Sequence, residues 1–250
     1  REQTFIIDAL LDPDINLVCV SGTTGSGKTL LSVACGYYMS EVENAYDRML
    51  VSRPVIPLGQ QDLGFLPGTL DEKLDPWMQP IYDAFDVING NHKTSGKKIV
   101  ADSDKIVVEA LTHIRGRSIH RQYLIVDEAQ NLSPLEIKTI LTRAGEGTKI
   151  VLTGDVEQID NPYVDKYSNG LTVAMNAFKD SSIAAHVVMT KSIRSKLAEE
   201  AAKRLNPKAV VIRAIYPVAE GGRGLRIALR QVCQQATEAI ENGANILILT

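Results

Sequence analysis

Residues 22 to 29 read Gly22-Thr23-Thr24-Gly25-Ser26-Gly27-Lys28-Thr29, which satisfies G-x-x-x-x-G-K-[ST] at every fixed position. That spacing serves the holding of a nucleoside triphosphate. Glycines let successive backbone N–H groups converge on phosphate oxygens, and a helix beginning just after the loop turns its positive end toward them. Lys28 would reach the β- and γ-phosphates, and the hydroxyl of Thr29 would ligate Mg²⁺. The expected cradle is therefore Gly22, Thr23, Thr24, Gly25, Ser26, Gly27, Lys28, Thr29 and the adjoining Leu30. A chance match in a Gly/Thr-rich turn is the plain alternative. The flanks oppose it: Leu17-Val18-Cys19-Val20 precedes the loop, and Leu30-Leu31-Ser32-Val33-Ala34-Cys35 follows without a breaker. That is the strand–loop–helix setting the motif requires.

A second constellation follows Tyr123-Leu124-Ile125-Val126, an apolar run that ends in Asp127-Glu128-Ala129-Gln130-Asn131. An acidic pair closing a strand downstream of a phosphate loop is the expected partner of that loop. Asp127 would hold Mg²⁺ through water, and Glu128 would take a proton from the attacking water. The plain reading is a solvated strand end before a helix, with Ser133 as cap and Pro134 at its first position. The two readings are compatible. A third run, Ile150-Val151-Leu152-Thr153, ends in Gly154-Asp155-Val156-Glu157-Gln158. Parallel strands gather their C-terminal ends along one crevice, so Gln158, and less directly Asp155, would face the γ-phosphate or its water. A simple glycine turn is the alternative there.

The elements that must position these groups alternate in type. Strands are expected over residues 16–21, 48–52, 122–127, 149–153 and 186–190, and helices over 28–39, 134–142, 170–179 and 192–205. That alternation predicts an α/β fold with a mostly parallel sheet and helices on both faces. Residues 55–116 form a long segment rich in Pro, Gly and charge, helical in part over 70–87 and an exposed turn over 89–96. A segment of that length usually carries function.

The chain has 250 residues, 44% hydrophobic and 23% charged, with a formal net charge of −3. Nothing in the bulk charge advertises nucleic acid; a local basic groove would have to do so. The three cysteines, Cys19, Cys35 and Cys233, are widely spaced without a C-x-x-C pair. They read as small core hydrophobes in a reducing, cytoplasmic compartment, and no metal cluster is expected. No apolar run reaches membrane-spanning length, and no signal peptide is visible. The start at Arg1 and the stop inside Ile246-Leu247-Ile248-Leu249-Thr250 suggest a piece cut from something longer.

Further motifs occur in a fixed order: Arg1-Glu2-Gln3, the phosphate loop, Arg53-Pro54, Gly64-Phe65-Leu66-Pro67-Gly68, Arg115-Gly116-Arg117, Asp127 to Asn131, Gly154 to Asp160, Asn169-Gly170-Leu171 and Ile193-Arg194-Ser195. Together they resemble the PhoH-like ATPase domain, a RecA-like P-loop NTPase fold related to superfamily 1 helicases, over residues 1 to about 205. The resemblance implies ATP hydrolysis with Mg²⁺, a homo-oligomer in the form of a hexameric ring, and coupling to single-stranded RNA, in some relatives behind a PIN-type nuclease domain. It also implies that Gln3 reads the adenine edge and that Arg194 touches the γ-phosphate in cis or from a neighbouring subunit. A plain helix-terminal Gln and a surface Arg are the alternatives. Arg53, Arg115 and Arg117 become candidates for a nucleic-acid backbone or a subunit interface, and Phe65 and Trp77 for base stacking or ordinary packing. The basic run from Lys93 to Lys98 reads equally as a solvated loop and as one that binds phosphate.

Residues 206–250 stand apart. Strands over 209–216 and 246–249 and an amphipathic helix over 223–242 describe one short βαβ-like tail. Its text from Tyr216 to Thr250 is similar to a fragment of the glutamate synthase large subunit, but it carries no nucleophile, flavin site or cysteine triplet of that enzyme. The expected organisation is an ATPase domain over 1–205 and the tail over 206–250. Beside RNA-coupled ATP hydrolysis stand two alternatives: a small-metabolite phosphotransferase, and a nucleotide-gated assembly module with slow turnover.

Overall fold

The computed structural model describes residues 2–56, 70–90, 94–114, 118–190, 209–213 and 245–249. The chain divides into two compact units, Arg1–Ile193 and Arg194–Thr250. The boundary expected at 205/206 falls outside the described residues.

The first unit is a six-stranded sheet, every pairing parallel. Its strands are β1 (Leu17–Gly22), β2 (Arg48–Arg53), β3 (Ile106–Ala110), β4 (Gln122–Val126), β5 (Lys149–Gly154) and β6 (Ala184–Met189), in the spatial order β3-β2-β4-β5-β1-β6. The strand after the acidic pair therefore lies between the loop strand β1 and the acidic strand β4. The C-terminal ends of β1, β5, β4 and β2 stand side by side, and each carries a candidate residue.

Alternation along the strands builds two cores. Val18, Val20, Val51, Tyr123, Ile125 and Val151 face one side, where Ile6 and Leu10 of α1 (Glu2–Leu11), Val33 of α2 (Lys28–Tyr37) and Ile81 and Phe85 of α3 (Leu70–Asn89) cover them. Leu17, Cys19, Leu50, Leu124, Val126, Ile150 and Leu152 face the other, under Ile137 and Ile140 of one helix and Leu171 and Ala174 of another. Helices thus cover both faces, as near-continuous apolar strands demand. With its loop, this is the RecA-like P-loop architecture.

Local chemistry fixes the remaining boundaries. The helix expected over 28–39 gives way after Tyr37 to a π-helical turn, Tyr38–Val42. Helix α4 (Gly96–Asp102) starts where Ser95 Oγ accepts from the Lys98 N–H, inside the stretch read as turn and solvated loop. Helix α5 (Pro134–Leu141) opens on a capping box between Ser133 and Glu136, with Pro134 in the first turn. Helix α6 (Gly170–Ala177) is capped by Asn169, whose side chain accepts from the Thr172 N–H at 2.9 Å. The long segment after β2 holds the helix expected there as α3, and also α4 and β3.

Of the second unit, β7 (Ala209–Arg213) and β8 (Asn245–Leu249) are described, paired parallel from Ala209↔Asn245 to Arg213↔Leu249. A parallel pair needs a crossover; the helix expected over 223–242 lies outside the described residues. Among the described residues no helix is long and apolar enough to cross a membrane.

Candidate functional site

The loop closing β1 owes its shape to two glycines. Gly25 and Gly27 have φ of 78° and 91°, the left-handed region that side chains disfavour. Helix α2 then begins at Lys28, and Leu31 donates its N–H to Gly27 O at 2.9 Å. Gly22 has a different reason to be glycine: an added Cβ would stand 2.7 Å from the Cβ and carbonyl oxygen of Met189, so β6 passes directly against it. Lys28 is buried, and its ammonium donates to Gly22 O at 2.7 Å and Thr23 O at 3.0 Å. Its charge is directed into the loop.

Next to the loop, Asp127 follows β4. Its Oδ1 accepts from Thr29 Oγ1 at 3.0 Å and from Thr153 Oγ1 at 2.5 Å. Its Oδ2 is buried without a hydrogen-bond partner, with the Arg53 Nε at 3.5 Å. A buried carboxylate oxygen of this kind, beside the Thr29 hydroxyl, fits a hard cation. Among the described residues no group of three or more His, Cys, Asp or Glu side chains gathers to hold a metal. The Asp127 carboxylate and the Thr29 hydroxyl are oxygen donors of the kind a hard cation such as Mg²⁺ takes.

Glu128 sits at φ 56°, ψ 38°, left-handed for a residue with a side chain, a conformation that clusters at functional sites. Its Oε1 accepts from Arg53 Nη2 at 2.9 Å and its Oε2 from Gln130 Nε2 at 2.5 Å. Gln130 is buried and ties three pieces together: it also donates to Gln158 O at 2.8 Å and accepts from the Asp155 N–H at 3.2 Å. Gly154 makes that possible, because a Cβ there would stand 2.3 Å from Gln130 Oε1. The turn after β5 is also latched to the loop. Thr24 donates its N–H to Asp155 Oδ2 at 2.9 Å and its hydroxyl to Gln158 Oε1 at 2.6 Å.

These groups line a cleft of about 290 Å³ walled by Thr24, Gly25, Gly27, Lys28, Thr29, Leu30, Asp127, Glu128 and Asp155. Its opposite wall is α3, through Pro80, Asp83, Ala84 and Val87. Gln3 reaches the loop from α1, its Nε2 lying 3.6 Å from the Cβ position of Gly27. Two bonds from Thr190 to Glu2, at 3.1 and 2.6 Å, tie the start of α1 to the end of β6. The structure thus brings together Gln3, the loop, Thr29, Asp127, Glu128 and Gln158. Arg194, Arg115, Arg117, Phe65 and Lys93 lie outside the described residues.

Sequence reasoning missed the inward role of Arg53. Only 17% exposed, its guanidinium meets Asp127, Glu128 and the carbonyl of Trp77 rather than an open surface. Proximity of Arg53 to the acidic pair was detectable only through the pairing of β2 with β4. Thr153 and the α3 wall were also missed; Thr153, the residue before Gly154, had a register signal. Trp77 packs with Met78, Tyr82 and Ala110 and also lines a second groove of about 610 Å³ beside Arg53, Glu128 and Gln158. Lys97, from the run read as solvated, pairs with Asp75. Burial pushes the Cys19 thiol up to about 12 and that of Cys35 to about 11, so both are inert core groups.

A glycine loop cradled between strand and helix, with an acidic strand one place removed, defines a P-loop NTPase of RecA-like architecture. The profile of the family described as PhoH-like protein matches residues 1–206, and the chain belongs to that family. It is 49% identical over 206 residues to Protein PhoH2 of Bacillus subtilis (strain 168), covering 82% of this chain and 46% of that protein. It is 33% identical over 233 residues to a PhoH-like protein of Mycobacterium tuberculosis, covering 92% and 60%. The chain thus spans about half the length of these relatives. Among solved structures, the large terminase from a thermophilic bacteriophage aligns at TM-score 0.46 and 14% identity, over 82% of this chain and 50% of that one. The Pif1 helicase from Candida albicans aligns at 0.41 and 13%, over 94% and 47%.

Proposed function

We propose that the protein binds ATP with Mg²⁺ and hydrolyses it, and that turnover is coupled to single-stranded RNA. One observation carries the hydrolytic reading: Lys28, Thr29, Asp127 and Glu128 converge on one cleft, with Gln158 latched to its loop. In this reading the loop N–H groups and the α2 N-terminus bind the phosphates, and Lys28 turns from the carbonyls of Gly22 and Thr23 to the β- and γ-oxygens. Thr29 and Asp127 would hold Mg²⁺, which would neutralise charge on the β- and γ-phosphates. Glu128 accepts the proton of the attacking water as its oxygen bonds to the γ-phosphorus and the β–γ bridge breaks. Gln158 positions that water, and Arg194 adds positive charge at the γ-phosphate. Gln3, at the loop's edge, reads adenine.

The RNA half rests on the family and on the groove beside the cleft, where Trp77 and Arg53 sit. A homo-oligomeric ring, a PIN-type nuclease domain in the full-length protein and a cytoplasmic location belong to the same proposal, the last supported by two free, buried thiols. The ATPase unit is residues 1–205; the βαβ-like tail contributes no chemistry to it. A second reading, the slowly turning nucleotide-gated module, is favoured by one fact: both oxygens of Glu128 are engaged.

The test is Mg²⁺-dependent phosphate release from ATP at low salt, with and without single-stranded RNA, together with the oligomeric state by light scattering. Stimulated turnover that vanishes in Lys28→Ala supports the proposal. Turnover indifferent to every RNA leaves the nucleotide-gated module, and turnover surviving Lys28→Ala overturns the site.

A further inference from the structure

We infer that Arg53 is a positioning residue that holds Glu128 in a restrained setting, and that hydrolysis requires the two to part. The inference rests on the reading of Glu128 as general base and concerns how that base is controlled. Glu128 forms part of the wall of two spaces, the triphosphate cleft of about 290 Å³ and the neighbouring groove of about 610 Å³. Arg53 lines the groove and is absent from the residues that line the cleft. Its pull on Oε1, at 2.9 Å, therefore draws the carboxylate toward the groove and away from where a γ-phosphate and its water would lie.

The hold is specific. Nη2 of the guanidinium donates to Glu128 Oε1 and Nη1 to Trp77 O at 3.0 Å, while Nε stands 3.5 Å from Asp127 Oδ2 as an ion-pair contact alone. A planar fork that serves two acceptors at once fixes the direction from which it holds Glu128. The other carboxylate oxygen is taken by Gln130, itself buried and fixed to the turn after β5. The Glu128 backbone is held in its left-handed turn by the Asn131 N–H, which donates to Glu128 O at 3.0 Å. Backbone and one oxygen are thus fixed by the fold, while the Arg53 contact is an ion pair reached across β2 and β4. It is the contact that can open. Because Nη1 binds the backbone of α3, a shift of that helix would pull Arg53 off the acidic pair without rearranging the sheet.

The experiment is steady-state ATP turnover of the full chain, without RNA, in Arg53→Met, Arg53→Lys, Glu128→Gln and Arg53→Met/Glu128→Gln. Freeing the carboxylate should raise kcat of Arg53→Met about fivefold, the factor that corresponds to the ~1 kcal/mol of a part-exposed ion pair. KM should move less than about twofold, since the change acts on the chemical step. Arg53→Lys, a point charge that cannot serve both Glu128 and the Trp77 carbonyl in a fork, should give a smaller rise, and it carries the test if the Met variant fails to fold. The double variant should be as slow as Glu128→Gln, because the acceleration passes through Glu128. A fall or no change in kcat in a folded Arg53 variant overturns the inference, as does acceleration that persists in the double variant. Normal turnover by Glu128→Gln alone instead removes the general-base reading, so the two failures are distinguishable.

Discussion

Thr24 in the phosphate loop is bonded to Asp155 beyond the end of β5, its N–H donating to Oδ2 at 2.9 Å across 131 residues of sequence. The same residue donates its hydroxyl to Gln158 Oε1 at 2.6 Å. The loop and the turn after β5 are therefore joined directly, and the side-chain amide of Gln158 is held by the loop that would hold the phosphates.

Replacing Thr24 by Val should break only the hydroxyl half of this latch, since the N–H stays on Asp155. The side-chain amide of Gln158 then loses its Thr24 partner while its backbone stays tied to Gln130 and the cradle persists. Turnover should fall about tenfold with a smaller change in KM, the pattern of an interaction that matters most in the transition state. Equal kcat in mutant and parent would show that Gln158 does not depend on Thr24.

Gln3 offers a test of base selection. Its amide lies by Gly27 and its helix is pinned through Glu2 to Thr190, so the side chain is presented at a fixed place on the rim. In Gln3→Ala, ATP should lose its advantage over GTP by roughly tenfold, the order expected for losing one or two hydrogen bonds to a base edge. Competition of the two nucleotides for the protein, read by calorimetry, decides the matter; an unchanged ratio removes Gln3 from recognition.

Gly154 is constrained by its neighbours rather than by its own torsions. In Gly154→Ala the new methyl would meet Gln130 Oε1 at 2.3 Å and Leu171 Cδ2 at 2.9 Å. Gln130 would have to leave the Asp155 N–H, and the variant should lose about 1–3 kcal/mol of stability. Urea denaturation measures it. Turnover should fall as well, because Gln130 also fixes Glu128. A variant as stable as the parent would mean that the turn after β5 relaxes at no cost.

What the sequence made legible followed from local rules. The loop, its flanking strand and helix, and the capped start of α5 are written in consecutive residues. So is the acidic pair at the end of β4. The sheet order is not: β5 lies between β1 and β4 although it follows both in sequence, and only that order brings Gln158 to Thr24. Strand β3 escaped because Ile106-Val107-Val108 is short and bounded by Asp104, Lys105 and Glu109, so its apolar signal is diluted. Arg53 looked like a surface cation because composition cannot tell which strand end pairs with which. Gly22 was read as a phosphate glycine, whereas its neighbour across the sheet, Met189, supplies an independent reason.

At the opposite end of the sheet, buried Lys149 sets a pH dependence of stability. Its ammonium donates to Ala9 O at 3.0 Å and Asp12 O at 2.6 Å, closing the end of α1. Burial lowers its pKa from 10.5 to about 8, against the opposing pull of Asp12. In the unfolded chain the amine keeps its proton up to about 10.5, so between pH 8 and that value the unfolded state binds more protons and stability rises with pH. Cys19 and Cys35 act in the opposite sense. Burial raises them from 9.0 to about 12 and 11, so as pH nears 9 and passes it the folded state holds more protons and their contribution to stability falls. Tyr46 and Tyr123, also raised by burial, add to that fall above pH 10. Between pH 8 and pH 9 the gain of ~1 kcal/mol from Lys149 is largely offset by ~0.7 kcal/mol lost through the two thiols. Urea denaturation should therefore show a small net gain of ~0.3 kcal/mol there and a decline beyond pH 9. Lys149→Met removes the amine and should abolish the gain while keeping the decline. A Met variant that still gains between pH 8 and 9 would show that another group titrates there.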